Sequence, residues 1–90
     1  MKIVAICGAG IGSSSILKVN AERVLANLGL EANVTAADIS SVRTVAADAQ
    51  VILTSSEFVE AIGKTFADVI VIENYFDLRE LTEKLEKSLG

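Results

Sequence analysis

Cys7 is the sole cysteine of this 90-residue chain, and it stands where the apolar run Ile3-Val4-Ala5-Ile6 meets Gly8-Ala9-Gly10-Ile11-Gly12 and then Ser13-Ser14-Ser15. A thiol followed by glycines and serines at this spacing can act as a nucleophile toward a bound anion. Glycines let successive main-chain N–H groups turn toward one point, and a helix that starts there adds the positive end of its dipole. Such donors hold a phosphate-sized anion. They also favour thiolate over thiol, which makes the sulfur competent for attack near neutral pH. The other reading of Cys7 is packing, because free cysteines are among the most buried residues and serve as small hydrophobes. Position favours chemistry: the residue falls at the carboxyl end of a strand, where ligands bind in open α/β sheets.

Histidine is absent from the chain. A Cys-His pair is therefore excluded within it, and with it the protease-like mechanisms that need an imidazole base. One cysteine and no histidine also leave no zinc site, and the pattern calls for no metal and no cofactor. Whatever activates Cys7 has to come from main-chain dipoles. Eight Lys and Arg against twelve Asp and Glu give a formal charge of −4, with no basic run, so no nucleic-acid partner is expected. A lone cysteine cannot close an intramolecular disulfide, and the chain opens on its first strand without a secretory signal, which predicts a reducing, cytoplasmic setting. No apolar stretch is long enough to insert into a bilayer, since even Val69-Ile70-Val71-Ile72 is only strand-sized. Work at a membrane would pass through a partner.

The elements that must position Cys7 follow from periodicity. Residues 2–6 read as a buried strand, and residues 13–28 as a helix with Ile16, Leu17, Ala21, Val24, Leu25 and Leu28 inward and Gly29 as its stop. A weaker strand over 32–37 and a short helix over 40–47 come next. A strand over 50–54 leads to a helix that runs from residue 55 or 56 to 62 and is closed by Gly63. The last strand covers 68–72. The last helix starts at Asp77 as N-cap, with Glu80 at the capping-box position and Leu78, Leu81, Leu85 and Leu89 on the buried face. Glu80 with Lys84 and Glu83 with Lys87 are i,i+4 pairs assigned to a solvated face.

Four βα units in a chain that is 51% apolar predict one α/β domain over residues 1–90, a small open parallel four-stranded sheet with helices on both faces. Right-handed crossovers and burial of the most apolar strands give the order 2-1-3-4, a doubly wound arrangement of the flavodoxin-like or phosphatase-like kind. The loops at 38–41 and 54–57, which include Asp38 and Thr54, would then flank Cys7, with Asn74 and Tyr75 one strand further away. Each of these also suits plain turn or capping chemistry. Lys18, paired with Glu22, is placed on the solvated surface. Ile11, Phe58 and Tyr75 are candidates for docking a partner.

Known phosphate loops fit only partly. The dinucleotide fingerprint fails where its third glycine is replaced by Ser13, and no Gly-Lys-Ser/Thr follows Gly8 at the nucleotide-loop spacing. The low-molecular-weight tyrosine phosphatases place an arginine six residues after their cysteine, and here that position is Ser13. Without the guanidinium, hydrolysis loses its bidentate clamp on the transition state. A protein that carries a phosphoryl group without releasing it to water is built in this way.

Cys7-Gly8-Ala9-Gly10-Ile11-Gly12-Ser13-Ser14-Ser15, followed by Lys18 and Glu22, resembles the opening of enzyme IIB components of the phosphoenolpyruvate-dependent sugar phosphotransferase system, in particular the ascorbate branch of the lactose/ascorbate type. The resemblance implies a phosphocysteine relay. Cys7 would take a phosphoryl group from a phosphohistidine on a IIA phosphocarrier and pass it to a sugar held by a membrane IIC transporter. Gly8, Ala9, Gly10, Ile11, Gly12, Ser13 and Ser14 would bind the phosphate through main-chain N–H groups and the two serine hydroxyls. It implies a cytoplasmic subunit that meets the inner membrane through its transporter. A small cysteine-dependent phosphatase and a non-catalytic anion-binding regulatory domain are the alternatives.

Overall fold

The apolar content of the strands dictates where they lie. A computed structural model describes residues 1–6 and 11–89, the side chains of 11–14 excepted. β1 (Lys2–Ile6) is followed by α1 (Ile11–Asn27) and β2 (Asn33–Ala37). A 3₁₀ turn, Ile39–Ser41, runs into the single-turn α2 (Val42–Val45), and β3 (Val51–Thr54) leads through a second 3₁₀ turn, Ser56–Phe58, into α3 (Val59–Ile62). β4 (Asp68–Val71) and α4 (Leu78–Leu89) complete the described elements. The four strands form one parallel sheet in the order β2-β1-β3-β4, as expected, with β1 and β3 central.

Alternation along the strands sorts the core onto two faces. Ile3 and Ala5 of β1 with Val51 and Leu53 of β3 pack against Leu17, Ala21, Val24 and Leu25 of α1 and Leu81 and Leu85 of α4. Val4, Ile6 and Ile52 point the other way, against Val42, Ala46 and Ile62 from the region of α2 and α3. Helices therefore cover both faces, the two long ones on one side and the two single-turn ones on the other. No helix among the described residues is long and apolar enough to cross a membrane.

Three expectations need correction. α1 begins at Ile11, two residues before the expected start, so the glycine-serine run enters the helix. Ile16, assigned to the inner face, is 37% exposed beside the exposed Val19. The buried stripe is Leu17, Ala21, Val24 and Leu25, and Ile16 lies one helical step of about 100° outside it. Leu78 is also exposed, at 38%, because it opens α4 and side chains tilt toward a helix's N-terminus, past the sheet. Leu89 packs on the first core face as expected.

The end of α1 is a complete glycine stop. Gly29 has φ of 73°, its N–H donates to the Ala26 carbonyl at 3.1 Å, and the Leu30 N–H donates to the Leu25 carbonyl at 2.9 Å. Leu30 then folds onto the core that holds Leu25, which is the apolar contact this motif brings with it. A Cβ at Gly29 would meet nothing within 4 Å, so the cost of adding one is the backbone conformation alone. Gly29→Ala is expected to lower stability by roughly 1–2 kcal/mol in urea unfolding, with Gly29→Asn falling between the two.

Candidate functional site

The register lines up the carboxyl ends of the strands. Ile6 is abreast of Ala37 on one side and Thr54 on the other, and Thr54 is abreast of Val71. Residues 7–10 alone separate the end of β1 from the start of α1. The N-terminus of a 17-residue helix therefore begins next to this edge. Its first N–H groups have no partner within the helix, and no acidic residue occupies its first turn. Such an end favours an anion.

Thr54 closes the row. It is fully buried, and its hydroxyl donates to the Ile6 carbonyl at 2.9 Å. Its own carbonyl accepts from the Ile72 N–H at 2.7 Å, which extends the ladder to β4 by one bond. Asp38, after β2, is committed to its turn: it accepts from the Ser40 hydroxyl at 2.6 Å and from the Ser41 N–H at 3.1 Å. Those hydrogen bonds, the Ser40 one foremost, hold its carboxyl below the ordinary aspartate value. After β3, the Ser55 hydroxyl donates to Glu57 at 3.2 Å.

The loop after β4 is held by residues that the sequence placed elsewhere. Asp77 caps α4 as expected, accepting from the N–H groups of Arg79 at 3.0 Å and Glu80 at 3.2 Å. Glu80 does not complete a capping box. It reaches further back and accepts from the N–H groups of Glu73 at 2.8 Å and Asn74 at 3.0 Å. The Lys84 ammonium bridges Glu80, at 2.7 Å, and the Val71 carbonyl, at 2.6 Å. This pair is a structural tie and not a solvated one, with the Glu80 side chain only 16% exposed. Glu83 pairs with Arg79 at 3.6 Å. Asn20 of α1 donates to the Tyr75 carbonyl at 2.7 Å, so the loop is tied to both long helices.

Of the residues singled out for phosphate binding, Cys7, Gly8, Ala9 and Gly10 lie outside the described residues. Ile11, Gly12, Ser13 and Ser14 form the first turn of α1, whose N–H groups have no acceptor within the helix. Lys18 pairs with Glu22 at 3.1 Å on the surface, as expected. Phe58 and Tyr75, offered for docking, pack partly buried against the two core faces. The exposed aromatic near this edge is Phe76, 71% exposed, which borders a shallow hollow of about 330 Å³ with Ile16, Val19, Asn20 and Arg23. Neither Phe76 nor the bonds from the Glu73 and Asn74 N–H groups to Glu80 were marked in the sequence, although Glu80 and its pairing with Lys84 were. A lone aromatic has no periodicity, and a carboxylate bonding to N–H groups six and seven residues upstream has no spacing rule.

Two comparisons with known proteins bear on this edge. A family model described as "PTS system, Lactose/Cellobiose specific IIB subunit" matches residues 2–87. The "Ascorbate-specific PTS system EIIB component" of Mycoplasma pneumoniae is similar to the chain, at 27% identity over 90 residues that cover 99% of this chain and 95% of the relative.

Glu80 makes the tie sensitive to acid. Burial pushes its carboxyl up, but the hydrogen bonds from the Glu73 N–H, Lys84 and the Asn74 N–H, with the Lys84 charge, outweigh that and hold it below the ordinary 4.5. A carboxyl lowered by folding stabilises the fold fully above its unfolded value and stops doing so as pH falls through its folded value. Glu80→Gln should cost about 1–2 kcal/mol at pH 7 in urea unfolding, since charge-assisted bonds are the stronger ones. The wild-type advantage should disappear as pH falls from 4.5 through the lower folded value. An advantage that persists in acid would contradict the assignment.

Proposed function

Because the chain belongs to the lactose/cellobiose-specific IIB family of the PTS system, we propose that it carries the phosphoryl group of sugar uptake on Cys7. As a IIB subunit it is a phosphotransferase component. In the proposed step the Cys7 thiolate attacks the phosphorus of a phosphohistidine on a IIA partner. The P–S bond forms as the P–N bond breaks, and the imidazole nitrogen leaves with the electron pair. In the second step a sugar hydroxyl oxygen attacks the same phosphorus, the P–O bond forms, the hydroxyl proton leaves to a base on the transporter or to water, and the thiolate is restored. The sugar is held by a membrane IIC transporter, so the subunit meets the cytoplasmic side of the inner membrane through that partner.

The observation that carries this reading is the family match across Cys7 and its Gly-Ser run, together with a helix start at Ile11 whose first N–H groups have no acceptor within the helix and whose first turn holds no acidic residue. Main-chain donors from Gly8 to Ser14 and the hydroxyls of Ser13 and Ser14 hold the phosphate oxygens, offsetting the charge that shifts among them during transfer. With Ser13 where a phosphatase has arginine, the phosphoryl group lacks the clamp that hydrolysis uses. The cargo is an ascorbate-like or related carbohydrate, on the strength of the relative's name.

Intact mass after incubation with phosphoenolpyruvate, the general phosphocarriers and a matched IIA tests the relay. The expected result is a gain of one phosphoryl group that Cys7→Ser abolishes. No gain, with the IIA phosphorylated in the same tube, would remove the carrier reading. Turnover of an aryl phosphate would favour a phosphatase instead.

A further inference from the structure

Thr54 is the polar member of the buried set among the described residues, in a strand that otherwise reads Val51-Ile52-Leu53. Valine would fill the same volume there without a polar atom. What the hydroxyl adds is the 2.9 Å hydrogen bond to the Ile6 carbonyl, and Ile6 immediately precedes Cys7 in the chain. A peptide unit is planar, so a donor that fixes the carbonyl of residue 6 fixes the plane through which the chain enters residue 7. Thr54 is itself held from the far side, by the Ile72 N–H on its carbonyl at 2.7 Å, and its β-branched side chain is restricted at χ1. The hydroxyl is thus aimed from a rigid mount.

We propose that Thr54 is a positioning residue for phosphoryl transfer, orienting the Ile6–Cys7 peptide so that the sulfur faces the incoming phosphorus. The proposal rests on the reading of Cys7 as the phosphoryl carrier. The Thr54 hydroxyl is bonded to the Ile6 carbonyl. It acts through the main chain, where an error of about 1 Å at a nucleophile can lower the rate a hundredfold. Docking of the IIA partner does not involve a fully buried hydroxyl, so the effect falls on the transfer step and not on partner affinity.

The test compares wild type, Thr54→Val and Thr54→Ser. Rapid-quench intact mass follows transfer from phosphorylated IIA across IIA concentrations, and iodoacetamide labelling of Cys7 at pH 7 follows the sulfur independently of any partner. Circular dichroism and urea unfolding set a temperature at which all three are folded. Thr54→Val is expected to lower the maximal transfer rate about tenfold or more with KM for IIA within about twofold, and to slow labelling. Thr54→Ser, which keeps the hydroxyl and loses the methyl, should stay within about threefold of wild type in both. Folded Thr54→Val that transfers and labels like wild type overturns the proposal, as does Thr54→Ser falling alongside it. A wild type that gains no phosphoryl group overturns the carrier reading, and labelling then still decides whether Thr54 orients the sulfur.

Discussion

β1 is covered on both faces and paired on both sides, with Ile3, Val4, Ala5 and Ile6 all without exposure to solvent. A strand in that position has no water for its main-chain groups, so β2 and β3 must supply the partners. The pairing sets Ala37, Ile6 and Thr54 abreast. The apolar run ends at Ile6, and glycine and serine take over where the chain leaves the sheet. Everything at the carboxyl edge is placed relative to that one buried strand.

The two faces then take different loads. On one, α1 and α4 bury Leu17, Val24, Leu25, Leu81 and Leu85, each a side chain whose burial contributes roughly 1.5–3 kcal/mol. That anchoring holds the N-terminal end of α1 at the sheet edge, and it is strong enough for Ile16 and Leu78 to stay exposed. On the other face α2 and α3 are single turns entered through 3₁₀ turns, which cover Val4, Ile6 and Ile52 with short segments. A long helix whose dipole opens at the edge occurs on the first face only among the described residues.

Carboxylates near the carboxyl edge of the sheet would repel an anion of the kind proposed for it unless they were engaged elsewhere. Asp38 is turned into its own 3₁₀ turn by Ser40 and Ser41. Glu80 is neutralised by Lys84 and by two main-chain N–H groups. The same bonds shape the loop after β4, and Asn20 passes that order to α1 through the Tyr75 carbonyl. Polar groups of this edge thus do two things at once: they bond to main-chain N–H groups of the loops, and at Glu80 they set a counter-charge against the carboxylate.

Local pattern was enough for the element order, the parallel sheet in the order 2-1-3-4, the stop at Gly29 and the cap at Asp77, because each depends on periodicity, on a φ that only glycine adopts cheaply, or on a donor within one helical turn. It also marked the candidate nucleophile, since a cysteine between an apolar strand and a glycine-serine run is a pattern in one dimension. Only the folded chain shows that Thr54 meets Ile6 across 48 positions, that the Glu80 carboxylate accepts from the N–H groups of Glu73 and Asn74 rather than from that of Asp77, and that Phe76 is exposed while Tyr75 is partly buried. Those outcomes depend on which strand lies beside which and on where an apolar stripe meets the sheet. Short-range spacing holds no record of either, because the burial that decides them is set by segments far away in the chain.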